Sequence, residues 1–503
     1  MTKNQHYMKD EINQMTRGVI KLLGSSKFTV CLIGLFVFQA LWIAFSFRYS
    51  MIYDEYYHYG IAEYLSHQWH PFIANQPTQL DEFGALTRAP WLLYHFILSF
   101  PLRLVALFTD NFAALVITMR IVNIALFSLG LFIYYRLFRF LKLNKAAINI
   151  ALFVFILIPV VPFIAATVNY DNLIFPLVAA LLYFGVKIIV KDKLHINELL
   201  AYSTIGLMGA LTKSSFLPIL SVTTLFVIVH ILTKKEINFK KIYKSVNTRK
   251  DKVITAALII LFIFLSFMFI ERYVVNIYHY HAISPNCLSQ ISKERCMSNY
   301  VEARAIDMEK EKSYAGIPMQ IPEYSVSWYG RMIGTWFTTG ANTEGKFGTK
   351  NGQPLPVAYN TVFVLSIVSM IVICMNYRSL VRSRGFTMLL IISILYILSI
   401  FYVNISEYFK YYRMVAVQGR YILLVLPVII VAAAISMNTL LKNRGKIKVM
   451  LVVIISILLL NGGGLTAHII RSDETWNWNN SLVRSVNNSA RNILSPFIKE
   501  YWY

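Results

Sequence analysis

The sequence predicts an all-α, polytopic membrane protein with about eleven transmembrane helices. Hydrophobic residues make up 57% of the 503 residues and charged residues only 15%, whereas soluble domains carry about 25% charged residues. Apolar stretches close to the roughly 20 residues that cross a bilayer recur along the chain. Polar, mostly basic segments separate them.

Eleven stretches are apolar enough to be spans. They are 28–47, 112–134, 146–166, 173–189, 199–213, 215–232, 253–271, 359–375, 386–402, 421–437 and 448–462. An odd number of spans places the two chain ends on opposite sides of the membrane. The first span follows about 27 polar and basic residues, a pattern that predicts no cleaved signal peptide.

Basic segments fall in alternate loops and fix the predicted orientation. They are the N-terminal tail, 136–145, 233–252, 376–385 and 442–448. Cytoplasmic loops carry an excess of Lys and Arg, so we expect a cytoplasmic N-terminus. A net charge of +23 would indicate nucleic-acid binding in a soluble protein. Its placement between spans explains it here, and we expect no nucleic-acid partner.

The apolar segment 89–108 is predicted not to cross the membrane. If it crossed, the basic loop 136–145 would move to the other face. It also contains Pro101 and Arg103, and an arginine near the bilayer centre costs about 2.5–3.5 kcal/mol. We therefore expect a juxtamembrane or re-entrant segment.

The remaining loops are predicted to be extracytoplasmic. They are 48–111, 167–172, 213–214, 272–358, 403–420 and the tail 463–503. We treat 1–462 as one transmembrane module that includes the outer loop 48–111 and the outer insert 272–358. Cys287 and Cys296 lie in that insert, where an oxidising compartment would favour a disulfide.

Motifs for common cofactors are absent from the sequence. It contains no P-loop, GxGxxG, HExxH or paired CxxC, so ATP hydrolysis and a structural zinc site have no support. We expect no required cofactor, and a divalent metal stays open as an alternative.

The stretch MIYDEYYHYGIAEYLSHQWH, residues 51–70, directly follows the first span. Its pattern predicts an interfacial amphipathic helix with Asp54 as N-cap. Asp54 and His58 are four residues apart and would face the same way. Either Asp54 only caps the helix and Glu55 interacts with its dipole, or Asp54 is a general base at the membrane surface.

A second acid and three cations are predicted on the same face. Asp171 lies in TVNYDNL, Lys213 in GALTKSSF and Arg420 in VQGRYILL, while Arg88 precedes the segment 89–108. Singly, Asp171 fits a turn and each cation fits a snorkelling side chain at a span end. Together they suit a lipid-linked phosphate held by cations and an acceptor hydroxyl held by acids.

The order of these motifs resembles the GT-C superfamily of integral-membrane glycosyltransferases, which use polyprenyl-phosphate sugars. The resemblance rests on the Asp-Glu pair after the first span, the long first outer loop, TRAPWLLY and MRIVN. It covers roughly residues 28–220 and one motif in 400–430. The nearer relatives are the protein O-mannosyltransferases and the bacterial aminoarabinose–lipid A transferases. NYDNL, ALTKSSFLP and VQGRYILLVLP resemble a bacterial branch linked to surface-polysaccharide synthesis, and this resemblance implies a bacterial inner membrane.

The resemblance implies roles for individual residues. Asp54 matches the proposed general base, Glu55 is its neighbour in the motif, and Asp171 matches the second-loop acid. Lys213 and Arg420 fall where this branch places cations. The lipid A transferases carry Lys-Pro-Pro where this chain has Arg88-Ala89-Pro90, and arginine changes the geometry of phosphate contacts.

The implied activity is transfer of a sugar, with inversion, from a polyprenyl-phosphate donor to a lipid-linked or cell-surface glycan such as O-antigen. Asp54, Glu55 and Asp171 would be catalytic, and the substrate-binding residues would be His58, Arg88, Lys213 and Arg420. A transporter or lipid flippase is an alternative, and it predicts charged or broken helices near mid-bilayer. A Wzy-like polymerase or ligase is another, and it would use His279, His281 and Arg331 of the insert.

Overall fold

A computed structural model describes residues 14–191, 195–233, 248–311, 318–338 and 353–500. Within these ranges the chain is helical, and the only β-pairing is an isolated bridge between Phe47 and Asn477. Eight helices of the described chain are long and apolar enough to cross a membrane. They are Ser26–Ser46, Phe112–Phe140, Asp171–Val190, Phe216–Thr233, Arg249–Tyr280, Pro356–Met375, Arg384–Tyr411 and Gly445–Arg471.

Shorter helices occupy the other three predicted spans. They are Lys145–Ile156, Ile196–Ala210 and Leu426–Leu440. Every predicted span therefore contains a helix, and the prediction of an all-α polytopic membrane protein is confirmed. The remaining helices of eight or more residues in the described chain are the helical stretch 14–23, Glu55–Ser66, Leu93–Ala106, Tyr300–Glu311, Ile321–Gly334 and Ser481–Leu494.

One predicted span is broken, and a break also lies at the end of another. The span predicted at 146–166 stops at Ile156 and resumes as Val160–Ala165, and Gly445–Leu460 is followed by Leu465–Arg471. Backbone groups freed inside a membrane need partners, and here the other break and the first span supply them. The amide of Gly464 donates to the Leu157 carbonyl at 2.7 Å, and the amide of Leu465 donates to Gln39 Oε1 at 2.8 Å.

Three spans extend further than their hydropathy predicts. Arg249–Phe269 continues through a π-helical turn, Ile270–Val274, into the helix Val275–Tyr280, although we expected the span to end at 271. Arg384–Tyr411 passes its predicted end at 402, and Phe112–Phe140 passes its predicted end at 134. The first extension carries polar residues that bind the first loop, and this tertiary contact is not encoded in hydropathy.

The segment 89–108 forms the helix Leu93–Ala106, with Pro101 inside it. At 14 residues the helix is about 21 Å long, too short for a hydrocarbon core of about 30 Å. Arg103 donates from Nε to the Ser66 carbonyl at 2.7 Å and from Nη2 to the Gln68 carbonyl at 2.8 Å. These bonds cap the C-terminus of the helix Glu55–Ser66, which explains an arginine in an apolar segment.

The loops form two separate groups, one at each end of the spans. At one end, contacts join Asp54 to Arg420, Asp171 to Lys213, Arg88 to Glu271 and Arg48 to Trp476. We call this end the site face; it contains the loops predicted to be extracytoplasmic. At the other end, Asn149 donates to the carbonyls of Leu23 and Ser25. We call this end the basic face. Residues 234–247 of its segment 233–252 lie outside the described residues.

Candidate active site

The site is built around Asp54, the residue between the first span and the helix Glu55–Ser66. Tyr53 and Asp54 both have left-handed backbones, with φ of 68° and 69°, a conformation that aspartate tolerates better than most residues. Asp54 occupies the N-cap position of this helix, as predicted, but its side chain makes no capping hydrogen bond. The left-handed turn instead directs the carboxylate away from the helix axis.

The Asp54 carboxylate is paired with Arg420. Arg420 Nη2 lies 2.8 Å from Asp54 Oδ2. The Arg420 side chain is only 5% exposed, whereas that of Asp54 is 55% exposed. The guanidinium therefore holds the carboxylate from beneath and leaves its outer side open to a substrate.

A second ion pair lies beside the first. Lys213 Nζ bonds to Asp171 Oδ1, and both side chains are about nine-tenths buried. Lys213 Nζ lies 4.3 Å from the Tyr170 ring centre and 5.1 Å from that of Tyr421. The guanidinium carbon of Arg420 lies 5.4 Å from the same Tyr421 ring. One aromatic ring thus stands between both cations, and burial lowers the pKa of Lys213 against the opposing effect of Asp171.

Two buried polar atoms at this site lack a hydrogen-bond partner within the described residues. They are Arg420 Nε and Asp171 Oδ2. Buried polar groups in folded proteins are nearly always satisfied. An unsatisfied donor and an unsatisfied acceptor next to an exposed carboxylate indicate a site that a ligand completes.

Glu55 lies beneath Asp54 and is fully buried. Arg120 binds both of its oxygens, at 2.8 and 2.7 Å. The amides of Met51 and Val168 donate to the same carboxylate at 2.7 and 3.2 Å. The Arg120 guanidinium also donates to the carbonyls of Ala44, Phe47 and Arg48. Glu55 therefore positions the loop and has no exposed oxygen that could reach a substrate.

Arg120 is a site-shaping residue that the sequence interpretation missed. It lies in the helix Phe112–Phe140, in the motif MRIVN, and none of its side chain is exposed. The available signal was its place inside an apolar span, where ionisable residues are rare and almost always have a partner.

His58 does face the site, but as part of a buried histidine pair. Its Nδ1 lies 2.9 Å from His95 Nε2, and its ring centre lies 4.3 Å from that of Tyr170. Burial lowers the pKa of His58 well below its ordinary value, and His95, Arg420 and Lys213 lower it further. Burial lowers the pKa of His95 to about 3. Both imidazoles are therefore neutral at physiological pH.

Arg88 does not join Arg420 and Lys213 in the contacts that the structure describes. Its Nη1 pairs with Glu271 Oε1 at 2.7 Å, and its Nε donates to Asn276 Oδ1 at 2.8 Å. Both partners lie on the extension of the span Arg249–Tyr280. Arg88 thus fixes the first loop to this extension, and the prediction of three converging cations reduces to two.

The outer insert also holds the first loop. Cys287 and Cys296 form a disulfide, and Arg295, next to it, binds Asp81 through Nε at 2.7 Å and Nη2 at 2.6 Å. Arg295 Nη2 also donates to the Gln76 carbonyl. The insert residues His279, His281 and Arg331 are exposed. No group of three metal-ligating side chains occurs among the described residues.

One protein-family model, described as "Predicted membrane protein (DUF2142)", matches residues 66–431. The match covers nearly three quarters of the chain and includes Asp171, Lys213 and Arg420. Asp54 and Glu55 precede it. Neither a curated protein nor a solved structure matches the chain.

Proposed function

The chain belongs to the DUF2142 family of predicted membrane proteins, and within that family we propose that it acts as a glycosyltransferase. It moves a sugar from a polyprenyl-phosphate donor to a lipid-linked or cell-surface glycan on the extracytoplasmic face of a bacterial inner membrane. The observation that carries this proposal is an exposed carboxylate, Asp54, held 2.8 Å from a buried guanidinium with an unpartnered Nε.

In the proposed reaction the acceptor hydroxyl oxygen attacks the anomeric carbon of the donor sugar. The bond from that carbon to the phosphate oxygen breaks, and the phosphate keeps the electron pair. Asp54 accepts the hydroxyl proton as a general base. Attack from the side opposite the phosphate inverts the anomeric centre.

The two ion pairs suit the movement of charge in this step. The phosphate gains negative charge as it leaves, and Asp54 loses its charge when it takes the proton. Arg420 can then exchange a carboxylate partner for a phosphate partner, while Lys213 supplies a second positive charge nearby. Interactions that strengthen as charge develops lower the barrier. No metal is needed to neutralise the phosphate in this arrangement.

A titration with polyprenyl phosphate tests the donor site. One charge-assisted contact is worth about 1.5–3 kcal/mol, so Arg420→Ala should weaken binding about tenfold to over a hundredfold. Arg420→Lys should restore binding only in part, because lysine cannot make a bidentate contact. The matched control is Arg378→Ala, an exposed arginine in the basic segment 376–385.

Equal affinities of the wild type, Arg420→Ala and Arg378→Ala proteins would contradict the phosphate site. Turnover supplies an independent test, since Asp54→Asn should lower the transfer rate by about two to four orders of magnitude while the protein stays folded. Mass spectrometry of surface glycans with and without the gene would identify the sugar and the acceptor through a missing branch.

A further inference from the structure

The C-terminal helix Ser481–Leu494 exposes a row of large apolar side chains. Leu482, Val486 and Ile493 are 70%, 43% and 68% exposed, and Phe497 in the following turn is 74% exposed. Spacings of four and seven residues place the first three on one helical face. Exposing such side chains to water forgoes about 1.5–3 kcal/mol for each one that could be fully buried.

This exposure is not the result of a loosely attached helix. Asn487, on another face, is 4% exposed and accepts a hydrogen bond from Trp42 Nε1 at 3.0 Å. Its Nδ2 donates to Ser46 Oγ at 3.0 Å. Ala490 and Leu494 pack against the protein core. The helix is thus docked through one face, while the adjacent apolar face stays exposed in the part of the chain that the structure describes.

The docking contacts place the helix at the depth where the first span ends. Trp42 and Ser46 lie in the last turns of Ser26–Ser46, and tryptophan is typical of the boundary between hydrocarbon and headgroups. From Ser481 to Lys499 the sequence contains three basic residues and no acidic one. Such a composition complements anionic lipid headgroups. Arg491 binds the Ile469 carbonyl and Ser472 Oγ of the protein itself, so Arg484 and Lys499 are the basic residues that would meet the headgroups.

We propose that the C-terminal helix binds the membrane surface, with its apolar face among the lipid acyl chains and its basic residues close to anionic headgroups. The segment before it transmits this contact to the loop that carries Asp54. Trp478 donates its amide to the Ser46 carbonyl at 3.0 Å, and Arg48 donates its amide to the Trp476 carbonyl at 2.8 Å. The lipid surface thereby sets the position of that loop.

A fluorescence experiment on the full-length protein tests this proposal. Cys31 and Cys374, the free cysteines of the structure, are replaced by alanine, and an environment-sensitive dye is attached at Val486→Cys. The matched control is Asn492→Cys, an exposed position outside the apolar row. Both proteins are placed in nanodiscs made from lipids brominated near the top of their acyl chains.

We expect several-fold stronger quenching of the dye at 486 than at 492, with bluer emission at 486. Quenching at 486 should also rise when phosphatidylglycerol replaces phosphatidylcholine. Equal quenching at the two positions would overturn the proposal and would favour a protein partner for this face. Equal quenching at 486 in the two lipids would overturn the headgroup preference. The readout does not depend on enzymatic activity.

Discussion

Asp54 is an acid whose role depends on its backbone conformation. A right-handed or extended backbone would let its side chain cap the helix Glu55–Ser66, as expected from its position. With the left-handed backbone, the carboxylate forms an ion pair with Arg420 instead. In the ligand-free protein Arg420 therefore pairs with Asp54. This pairing competes with the phosphate that we propose Arg420 binds.

This competition predicts an unusual property of the Asp54→Asn variant. It should bind polyprenyl phosphate more tightly than the wild type, because the neutral amide no longer competes for Arg420. Partly exposed ion pairs are worth up to about 1 kcal/mol, so the gain in affinity should be about two- to fivefold. The titration with polyprenyl phosphate measures this affinity. Unchanged or weaker binding by Asp54→Asn would show that Asp54 does not compete with the phosphate for Arg420.

The buried histidine pair predicts loss of stability in acid. The pKa of His95 is about 3 in the folded protein against 6.5 for an ordinary histidine, and that of His58 is also lowered. As the pH falls below 6.5 the unfolded chain takes up protons that the folded protein does not. The free energy of unfolding should therefore decrease as the pH falls from 6.5 toward 3, by up to about 1.4 kcal/mol per pH unit for His95. His58 should act in the same direction.

Thermal unfolding in detergent between pH 7.5 and pH 4.5 measures this effect. His95→Gln should reduce the dependence on pH, because glutamine does not titrate. His70→Gln, at an exposed position, serves as the control and should behave like the wild type. A His95→Gln protein with the same acid sensitivity as the wild type would contradict the assignment.

At the level of elements, the pair of Glu55 and Arg120 connects three parts of the chain. It joins the end of the first span, the helix Glu55–Ser66 and the span Phe112–Phe140, and it accepts a fourth contact from Val168. We expect Glu55→Gln to lower the free energy of unfolding by about 3–5 kcal/mol, since it leaves a buried guanidinium without its counter-charge. Thermal unfolding in detergent is the measurement.

Glu63→Gln is the matched control, because Glu63 is an exposed acid on the same helix. It should leave the unfolding temperature unchanged. If Glu55→Gln also left the unfolding temperature unchanged, the pair of Glu55 and Arg120 would not stabilise the loop. The left-handed turn at Asp54 would then have to be stabilised by other contacts.

The elements also show how far sequence alone can predict this fold. Hydropathy locates a helix at each predicted span. A span needs about 20 apolar residues to cross the hydrocarbon core, and this requirement does not depend on which other helices it packs against. Hydropathy does not locate the break after Ile156, where the Leu157 carbonyl accepts a hydrogen bond from the amide of Gly464, 307 positions later. It also misses the extension to Tyr280, which is held by Arg88 in the first loop.

The candidate site, too, has a part that the sequence predicts and a part that it does not. Asp54, Asp171, Lys213 and Arg420 can be found from sequence, since each is a charge at the end of an apolar span. Their pairing cannot, because it depends on how the spans pack. The sequence pattern gave no means to separate Arg88, which binds Glu271, from the two cations that lie beside Tyr421.

On the scale of the whole molecule, the two groups of loops predict a definite topology. The basic face should be cytoplasmic and the site face extracytoplasmic, because Lys and Arg are retained on the cytoplasmic side. A membrane-impermeant maleimide should therefore label Ser485→Cys in intact cells and leave Asn443→Cys unlabelled. Both positions are exposed, so accessibility to solvent is matched.

Permeabilising the membrane should make Asn443→Cys react as fast as Ser485→Cys, which would show that both cysteines are reactive. The reverse labelling pattern would place the site face in the cytoplasm. In that case a polyprenyl-phosphate donor presented on the outer side could not reach Asp54, and the proposed function would have to be abandoned.

The separation in sequence between Asp54 and Arg420 also fixes the order in which the site forms during synthesis. Arg120 follows Glu55 by 65 residues, whereas Arg420 follows Asp54 by 366 residues. At about 5–20 residues per second, the ribosome adds Arg120 after roughly 3–13 seconds and Arg420 after roughly 20–70 seconds. The buried glutamate thus meets its counter-charge early, while the loop is being enclosed. Asp54 is exposed and stays hydrated without a counter-charge until the tenth span has been synthesised. The nascent chain therefore carries no donor site until almost all of its spans are in the membrane.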